Sequence, residues 1–485
     1  MRYPGAKRWP ARAGLCCLAA VAVTAATIGA AGASGASGAS GPAQAASTPP
    51  ACSQPQQQPA AGPTTVTTIG QAYYCILAHY YSGPVLDDRV LLAAAFAGLT
   101  QELGRLGTDQ PYATMPALTG SRDSDWAAFA AVYSRVISKV PPRDVQQVAA
   151  ATMTGMVTAL NDNHASWQYP SPQPPGATPS DIYGLGINTL PAPGLVKHAP
   201  GKTLPPAVVM AVDPGSPAAR ARVRTGDIIV SVNDAPPFTD GYLSPGVFAL
   251  LYQSYPQQQA LRITLRWPVN GATRTVTITP AVYPAPVPSV TSRLLHGDIG
   301  YVQLPGFDPG TASQVLAAVK GLEKTATLRG LILDLGGGGG SRTEVTQLLG
   351  AFEHGTAYGY DCTVIGQCTA DYPDASNPLL HLPLAVLAGR DCVSACEEFS
   401  GAIKDLHLGT LIGIRTDGIV SGTPVGWVLN DGSMLGLPAK HYVSADHELI
   451  TGIGVAPDYY IPLTAWDLAT GHDPDIAKAL ALLKA

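Results

Sequence analysis

Charged residues are scarce in this 485-residue chain: Asp, Glu, Lys and Arg make up only 13% of it, and the formal net charge is −5. A chain with this mildly acidic balance is not built to bind nucleic acid or anionic lipid, so we exclude both as partners. Long apolar runs are also missing, because no segment after about residue 33 is long and apolar enough to cross a membrane. With 46% apolar residues, the chain instead favours a large buried core divided among several domains.

Motifs for metal and nucleotide sites are missing as well. The cysteines of the chain could in principle bind zinc. No Cys-x-x-Cys pair or His-x-x-x-His is present, which argues against a zinc site. Five consecutive glycines, Gly336 to Gly340, suggest a phosphate-binding loop, but no Gly-Lys-Ser/Thr follows them. We therefore expect a protein with no metal and no cofactor.

The first 45 residues have the outline of a secretory signal peptide. Four basic residues precede an apolar stretch that runs from residue 13 to about residue 33, and Ala43-Gln44-Ala45 offers a small-residue cleavage site. Cleavage there removes four positive and no negative charges, which moves the formal net charge from −5 to −9. We expect a mature protein that is secreted or lies in the extracytoplasmic cell envelope, with an uncleaved membrane anchor as the alternative.

Six cysteines remain after this cleavage, and an even number in an exported chain predicts disulfides. We expect three local bridges in sequence order, pairing Cys52 with Cys75, Cys362 with Cys368 and Cys392 with Cys396. The last pair would brace the turn between its two cysteines. The alternative is that each of these two pairs elsewhere, for instance with Cys362 or Cys368, because connectivity is not readable from sequence.

Composition and periodicity divide the rest of the chain and predict an α+β multidomain fold. Residues 46–65 are rich in Pro, Gln, Ala and Thr, which predicts a disordered spacer. Apolar residues recur at helical spacing from Ile69 to Tyr80, from Val90 to Leu106 and from Val145 to Leu160, so we expect a mostly helical domain over residues 66–170. A β-rich unit over 181–283, a mixed α/β core over 290–465 and a C-terminal helix over 466–485 complete the expected order.

Three segments of the β-rich unit resemble a PDZ domain. They are Tyr183-Gly184-Leu185-Gly186-Ile187, Gly215-Ser216-Pro217-Ala218-Ala219 and Gly226-Asp227-Ile228-Ile229-Val230-Ser231-Val232-Asn233. In such a domain the loop formed by Gly184, Leu185, Gly186 and Ile187 captures the C-terminal carboxylate of a peptide on its backbone N–H groups. The alternative is a groove that packs against the next domain.

The predicted core alternates strands and helices. Ile299 to Leu304 and Leu331 to Leu335 are apolar runs typical of buried strands, and residues 311–322 have helical spacing. Ser394 lies where a third such run, Pro383 to Ala388, gives way to a helix that starts near Glu397. A serine there is usually an N-cap, but the unpaired N–H groups of a helix start also stabilise a developing oxyanion.

Taken together, the parts resemble the tail-specific, or C-terminal-processing, family of serine peptidases. Ser394-Ala395-Cys396-Glu397 is similar to the family's Ser-Ala-Ser-Glu, and Asp334-Leu335 followed by Gly339-Gly340 is similar to its Asp-Leu-Arg glycine loop, with Gly336 and Gly338 in place of Arg and Asn. The resemblance implies that Ser394 is the nucleophile. It also implies an oxyanion hole formed by the backbone N–H of Ala395 and one from Gly339 or Gly340.

The general base separates two branches of this family. In the lysine-dependent branch the base corresponds to Ile419, which takes no proton, and Lys404 lies ten helical residues from Ser394, about 15 Å along the axis. The tricorn-like branch instead uses a histidine in an Asp-x-His turn, which Asp162-Asn163-His164 matches. The resemblance therefore implies a Ser394–His164 pair, with a base whose unperturbed pKa is near ~6.5.

The third member of the site has two candidates. The tricorn-like branch has a glutamate a few residues before a Gly-Val-x-Pro-Asp segment, and Thr451 occupies that position here, ahead of Gly454-Val455-Ala456-Pro457-Asp458. Thr451 would orient the imidazole through its hydroxyl, and Glu448 is a nearby carboxylate.

We expect an exported serine peptidase that recognises polypeptides through its PDZ module, in particular through their C-termini, and hydrolyses peptide bonds through an acyl-enzyme on Ser394. The alternative is a catalytically inactive protein that keeps the peptidase fold and binds peptide C-termini. The departures at Ile419, Thr451 and the glycine loop favour this alternative, whereas the paired serine and histidine motifs favour the peptidase.

Overall fold

The computed structural model describes residue 52 and residues 60–162, 164–170, 172–190, 205–389 and 391–484. The expected signal peptide, residues 1–45, lies outside these described residues. The helices are α1 Val66–His79, α2 Asp88–Arg105, α3 Arg122–Ile137, α4 Val145–Thr158, α5 Pro217–Arg220, α6 Pro245–Leu251, α7 Thr311–Glu323, α8 Arg342–Leu349, α9 Ala395–Asp405, α10 Ala465–Thr470 and α11 Pro474–Leu483. Within the described ranges, no helix combines the length and apolar composition needed to cross a membrane.

The strands lie mostly in the second half of the chain. They are β1 Ser166–Gln168, β2 Asp181–Gly184, β3 Ile187–Leu190, β4 Ala207–Val212, β5 Ile228–Val232, β6 Phe238–Thr239, β7 Tyr242–Leu243, β8 Leu261–Arg266, β9 Thr273–Ile278, β10 Ala281–Pro284, β11 Thr291–Leu295, β12 Ile299–Leu304, β13 Gly330–Leu335, β14 Gly359–Cys362, β15 Cys368–Asp371, β16 Leu384–Ala388, β17 Thr410–Gly413, β18 Pro424–Val428, β19 Met434–Pro438, β20 His441–Ser444 and β21 Tyr459–Tyr460. Helices and sheets occur together in several parts, which confirms the predicted α+β fold class.

The N-terminal helices form a core that also contains a strand pair from the far end of the chain. Helices α1, α2 and α4 fall where apolar periodicity predicts them, and α3 is an additional helix that packs on α1 and α2. Leu435 and Leu437 of β19 are buried in the same cluster as Ile69 and Leu92 of the helices. Strand β1, which follows α4, pairs antiparallel with β19, and β19 pairs with β18. The segment after the helices is thereby anchored to the C-terminal part of the chain.

The described residues of the predicted spacer over 46–65, which are residue 52 and residues 60–65, are attached to the fold. Thr64 is buried, its N–H donates to the side chain of Gln146 and its hydroxyl donates to Asp431 at 2.7 Å. Cys52 is joined to Cys75 of α1. The sequence predicted the Cys52–Cys75 pair, but composition did not indicate the contacts of Thr64, because Gln146 and Asp431 are distant in sequence.

The middle of the chain forms an antiparallel five-stranded sheet in the order β3-β4-β5-β8-β9, with a separate β2–β10 pair. Leu185, Ile187 and Phe248 are buried together in its core, and Phe248 comes from α6. In its described part, β3 is an edge strand of this sheet.

The C-terminal half is built on a six-stranded sheet in the order β11-β12-β13-β16-β17-β21, parallel except for β11. Parallel strands are covered on both faces, which explains their continuous apolar sequences. Helices α7, α8 and α9 cover one face, where Leu333, Val386 and Phe399 are fully buried. Helix α11 covers the other face, where Ala479 packs with Ile332 and Leu387.

The predicted single C-terminal helix over 466–485 is two helices, α10 and α11. Gly471 ends α10 with a φ of 70°, a left-handed conformation that glycine adopts readily. Asp473 then caps α11 by accepting from the N–H of Ile476, and Pro474 occupies the first helical position. Sequence periodicity alone did not separate the two helices.

Candidate active site

The turn between β16 and α9 presents Ser394 at the carboxyl edge of the parallel sheet. Ser394 has φ 54° and ψ −119°, a conformation rare for a residue other than glycine and found preferentially at functional sites. Its backbone N–H donates to the carbonyl of Ile419 at 2.7 Å. The strand and the helix therefore lie where the sequence predicts them, and the serine between them is held in a sharp turn.

His164 lies against this serine although the two are 230 residues apart. The distance from His164 Nε2 to Ser394 Oγ is 3.0 Å, within hydrogen-bonding range. The histidine follows α4 and directly precedes β1, whose pairing with β19 fixes the turn onto the C-terminal part of the chain. The structure thus brings together the two residues that the sequence motifs single out, in the arrangement of a nucleophile and its base.

The surroundings of His164 favour the neutral imidazole. Burial lowers the pKa of His164, the Asp162 carboxylate raises it, and the Arg342 guanidinium lowers it. Because the net direction is downward from 6.5, the ring is neutral near pH 7 and able to accept a proton. This is the protonation state that a general base requires before reaction.

Backbone segments with unbonded N–H groups lie next to Ser394. Ala395 is the first residue of α9, and Gly339 lies so close that a β-carbon on it would stand 3.0 Å from Ser394 Cβ. The carbonyl of Gly339 accepts from Phe307 N–H, which fixes the glycine loop, and Gly340 pairs with the same residue. Within the described chain, the backbone N–H groups of Ala395, Gly339 and Gly340 make no hydrogen bond. This arrangement suits an oxyanion hole, whose assignment to these residues remains a prediction.

The buried carboxyl of Glu397 ties the serine turn to the chain after β17. Its Oε1 accepts from Thr416 Oγ1 at 2.5 Å and from Gly418 N–H at 2.6 Å, and its Oε2 lies 3.3 Å from Ser394 N. Burial raises the pKa of Glu397 to about 7, against the opposing effect of these hydrogen bonds. We refer to residues 416–421 as the linking segment, because they also contact the histidine turn.

The two candidates for the third member differ in their placement. Thr451 donates its hydroxyl to the carbonyl of Val420, in the linking segment. Glu448 has an exposed side chain in the turn after β20, and its N–H is bonded to Ser444 Oγ. In the part of the chain that the structure describes, the charged groups that shift the imidazole pKa are Asp162 and Arg342, and Glu448 is not one of them.

Sequence motifs did not assign a role to Asp162 or Arg342. Asp162 is buried and accepts from His164 N–H at 2.9 Å. Arg342 makes two hydrogen bonds to Glu398 and contacts Asp361 at 2.6 Å. The position of Asp162 within the Asp-x-His turn was visible in the sequence, whereas the contacts of Arg342 join residues with no local pattern.

The six cysteines of the described residues lie at disulfide-bonding distance in sequence order: Cys52–Cys75, Cys362–Cys368 and Cys392–Cys396. The last bridge spans the nucleophile turn with its Cα atoms 5.2 Å apart, and both of its cysteines are fully buried. Among the described residues, Cys52, Cys75 and His79 are the one group with metal-ligand proximity. Both sulfurs of that group belong to a bridge, so they are not thiolate ligands.

The predicted peptide-binding loop forms the connection between β2 and β3. Gly184, Leu185, Gly186 and Ile187 are all buried. The carbonyl of Leu185 accepts from Ala218 N–H and that of Gly186 accepts from Asp213 N–H, so these two carbonyls point into the domain. Binding of a peptide carboxylate to the N–H groups of this loop stays a prediction.

Comparison with known proteins identifies the two main parts of the chain. Residues 298–461 match the model of peptidase family S41, and residues 208–242 match that of the PDZ domain. The chain is 27% identical over 344 residues to carboxyl-terminal-processing peptidase 2, chloroplastic, of Arabidopsis thaliana, covering 68% of this chain and 64% of the relative. It is 26% identical over 367 residues to the carboxy-terminal-processing protease of Bartonella bacilliformis, covering 73% and 79%.

A solved structure shares the fold. The photosystem II D1 C-terminal processing protease superimposes with a TM-score of 0.51 and 22% identity, covering 87% of this chain and 97% of that one. At 22% sequence identity, this structural similarity supports a shared fold and nothing about shared function. The resemblance drawn from the sequence motifs is confirmed for the family and the PDZ domain, while the choice between the histidine and lysine branches stays a prediction.

Proposed function

The chain carries an S41 peptidase domain behind a PDZ domain, and we infer that it is a serine peptidase in which Ser394 is the nucleophile and His164 is the general base. The observation that carries this inference is the 3.0 Å separation between His164 Nε2 and Ser394 Oγ. Ile419 at the position of the family's lysine argues against the other branch, because its side chain accepts no proton. A downward-shifted imidazole pKa is consistent with a base that is ready at neutral pH.

The reaction follows from these positions. Imidazole Nε2 removes the hydroxyl proton as Ser394 Oγ attacks the scissile carbonyl, and the N–H groups of Ala395 and Gly339 or Gly340 stabilise the oxyanion. The imidazolium then returns the proton to the leaving amine, which leaves an acyl group on Ser394. A water molecule, deprotonated by the same imidazole, hydrolyses the acyl-enzyme and restores the serine.

The substrates of this proposal are polypeptides held by the PDZ domain. Strand β3 is an edge strand in the described part of its sheet, and an extended peptide adds to such an edge through main-chain hydrogen bonds. The loop from Gly184 to Ile187 precedes that edge and would receive the peptide's terminal carboxylate. Names of relatives that refer to carboxyl-terminal processing agree with this orientation.

We further place the protein outside the reducing cytoplasm, in a secreted or envelope location. Three cysteine pairs at bonding distance support this placement, because such bridges persist in oxidising compartments. The expected signal peptide agrees with it.

The test is hydrolysis of an unfolded protein by the purified mature chain, with Ser394→Ala as the matched variant. We expect fragments from the wild type and none from the variant, and slower cleavage of a substrate whose C-terminus is amidated. If the folded wild type leaves the substrate intact while binding C-terminal peptides, the inactive binding protein is the correct assignment.

A further inference from the structure

Asp162 lies two residues before His164, and its side chain accepts three hydrogen bonds. Its side chain is only 5% exposed. Oδ1 accepts from the backbone N–H of His164 at 2.9 Å, while Oδ2 accepts from the hydroxyls of Tyr80 at 3.0 Å and Ser421 at 3.1 Å. Three donors on one buried carboxyl hold that side chain in a single position.

The contacts of Asp162 reach both halves of the candidate site. Tyr80 belongs to the N-terminal helical part, and Ser421 belongs to the linking segment. The same segment accepts the backbone N–H of Ser394 through the carbonyl of Ile419. Ser394 is therefore joined to residues 416–421 by one hydrogen bond, and His164 is joined to them through Asp162 by two.

Asp162 also supplies a negative charge that acts on the imidazole. Among the residues described, the charged groups that shift the His164 pKa are the Asp162 carboxylate on its own turn, which raises it, and the Arg342 guanidinium on α8, which lowers it. Tyr80 is a phenol that donates to Asp162 and stays protonated, because burial and that carboxylate raise its pKa. Thr451 is neutral, and Glu448, whose side chain is exposed, is not among the described groups that shift the His164 pKa.

We propose that Asp162 is a positioning residue for the reaction, which holds His164 against Ser394 through the backbone and supplies the negative charge that stabilises the imidazolium. The proposal rests on the proposed function of the Ser394–His164 pair. In a Ser-His-Asp triad, a carboxylate that is hydrogen-bonded to the imidazole stabilises the imidazolium. In this proposal Asp162, two residues before the histidine, has that electrostatic role.

The first test measures the imidazole itself and needs no activity. Histidine resonances of the Ser394→Ala protein are titrated by NMR with and without Asp162→Asn, and His164 is assigned from the signal lost in His164→Asn. We expect the pKa of His164 to fall in Asp162→Asn, because the amide keeps an acceptor for the His164 N–H but removes the charge. An unchanged His164 titration would overturn the electrostatic role.

Asp431 provides a matched control. It is 2% exposed, and its Oδ1 accepts the N–H of Ser433 two residues ahead, while its Oδ2 accepts the hydroxyl of Thr64 at 2.7 Å. It therefore repeats the turn geometry of Asp162 without acting on His164. Asp431→Asn should leave the pKa of His164 unchanged. An equal shift of the His164 pKa in Asp431→Asn and Asp162→Asn would indicate a general structural effect and contradict the proposal.

The second test is kinetic. In Asp162→Asn we expect kcat to fall about tenfold or more with KM within about twofold, and the acidic limb of the pH profile to move to lower pH. A rise in KM with unchanged kcat would contradict the positioning role. If the wild type has no activity, the proposed function fails, yet the NMR titration still decides whether Asp162 sets the protonation of His164.

Discussion

Replacement of Glu397 by glutamine tests how the nucleophile turn is held. Burial raises the pKa of this carboxyl from 4.5 to about 7, so the folded chain keeps a proton that the unfolded chain loses. The contribution of this carboxyl to stability is therefore fully present below pH 4.5 and is lost as the pH rises through about 7. The difference of about 2.5 in pKa corresponds to roughly 3 kcal/mol of unfolding free energy.

Glutamine at this position is neutral at every pH and keeps an oxygen for the Thr416 and Gly418 donors. We therefore expect Glu397→Gln to be as stable as the wild type, within about 1 kcal/mol, near pH 4, where both side chains are neutral. Near pH 8 the variant should be more stable by about 3 kcal/mol, since only the wild type then holds a buried carboxylate. Urea unfolding followed by circular dichroism at both pH values gives the two differences.

The comparison contains its own control, because every other titrating group is common to the two proteins and cancels in the difference. Glu397→Ala provides a second one: it leaves the Thr416 hydroxyl and the Gly418 N–H without their acceptor, so it should be less stable than Glu397→Gln at both pH values. The difference in unfolding free energy between the wild type and Glu397→Gln should change between the two pH values. A constant difference would refute the assignment of a protonated, buried carboxyl.

Two further substitutions address the geometry around the nucleophile. Gly339→Ala places a methyl group 3.0 Å from Ser394 Cβ and should lower kcat about tenfold to a hundredfold with little change in KM, as measured by steady-state hydrolysis. Replacing both cysteines of the Cys392–Cys396 bridge by alanine should slow acylation by a fluorophosphonate about tenfold, because the bridge closes the turn that carries Ser394. The same change at Cys362–Cys368, in the β14–β15 hairpin, should leave the acylation rate within about twofold, and equal losses in both variants would contradict a specific role for the first bridge.

The parts of the site that local sequence specifies were predictable. The apolar run over Leu384–Ala388 and the helix that follows bracket Ser394, and the Asp-x-His turn marks His164 as the residue that ends the helical part. These features need only neighbours within a few positions. The serine and histidine motifs together indicated a pair, although nothing local in the chain says how 230 intervening residues fold them together.

The parts that depend on distant partners were not predictable from pattern. Leu435 and Leu437 are ordinary strand residues in sequence, yet they are buried among the N-terminal helices, and this packing delivers the histidine turn to the serine. The hydroxyl of Ser421 carries no motif, but it bonds Asp162. Helix α3 is a different case, because its buried residues Phe129 and Tyr133 have helical spacing and local sequence therefore specifies it.

The most direct test of the central claim is the rate at which a fluorophosphonate acylates the folded mature protein, with the adduct located by peptide mass spectrometry. We predict one adduct, on Ser394, and a second-order rate at least about a hundredfold lower in His164→Ala, whose circular dichroism should match the wild type. An adduct on another serine, or a His164→Ala rate equal to that of the wild type, would contradict the assignment of this pair as nucleophile and base.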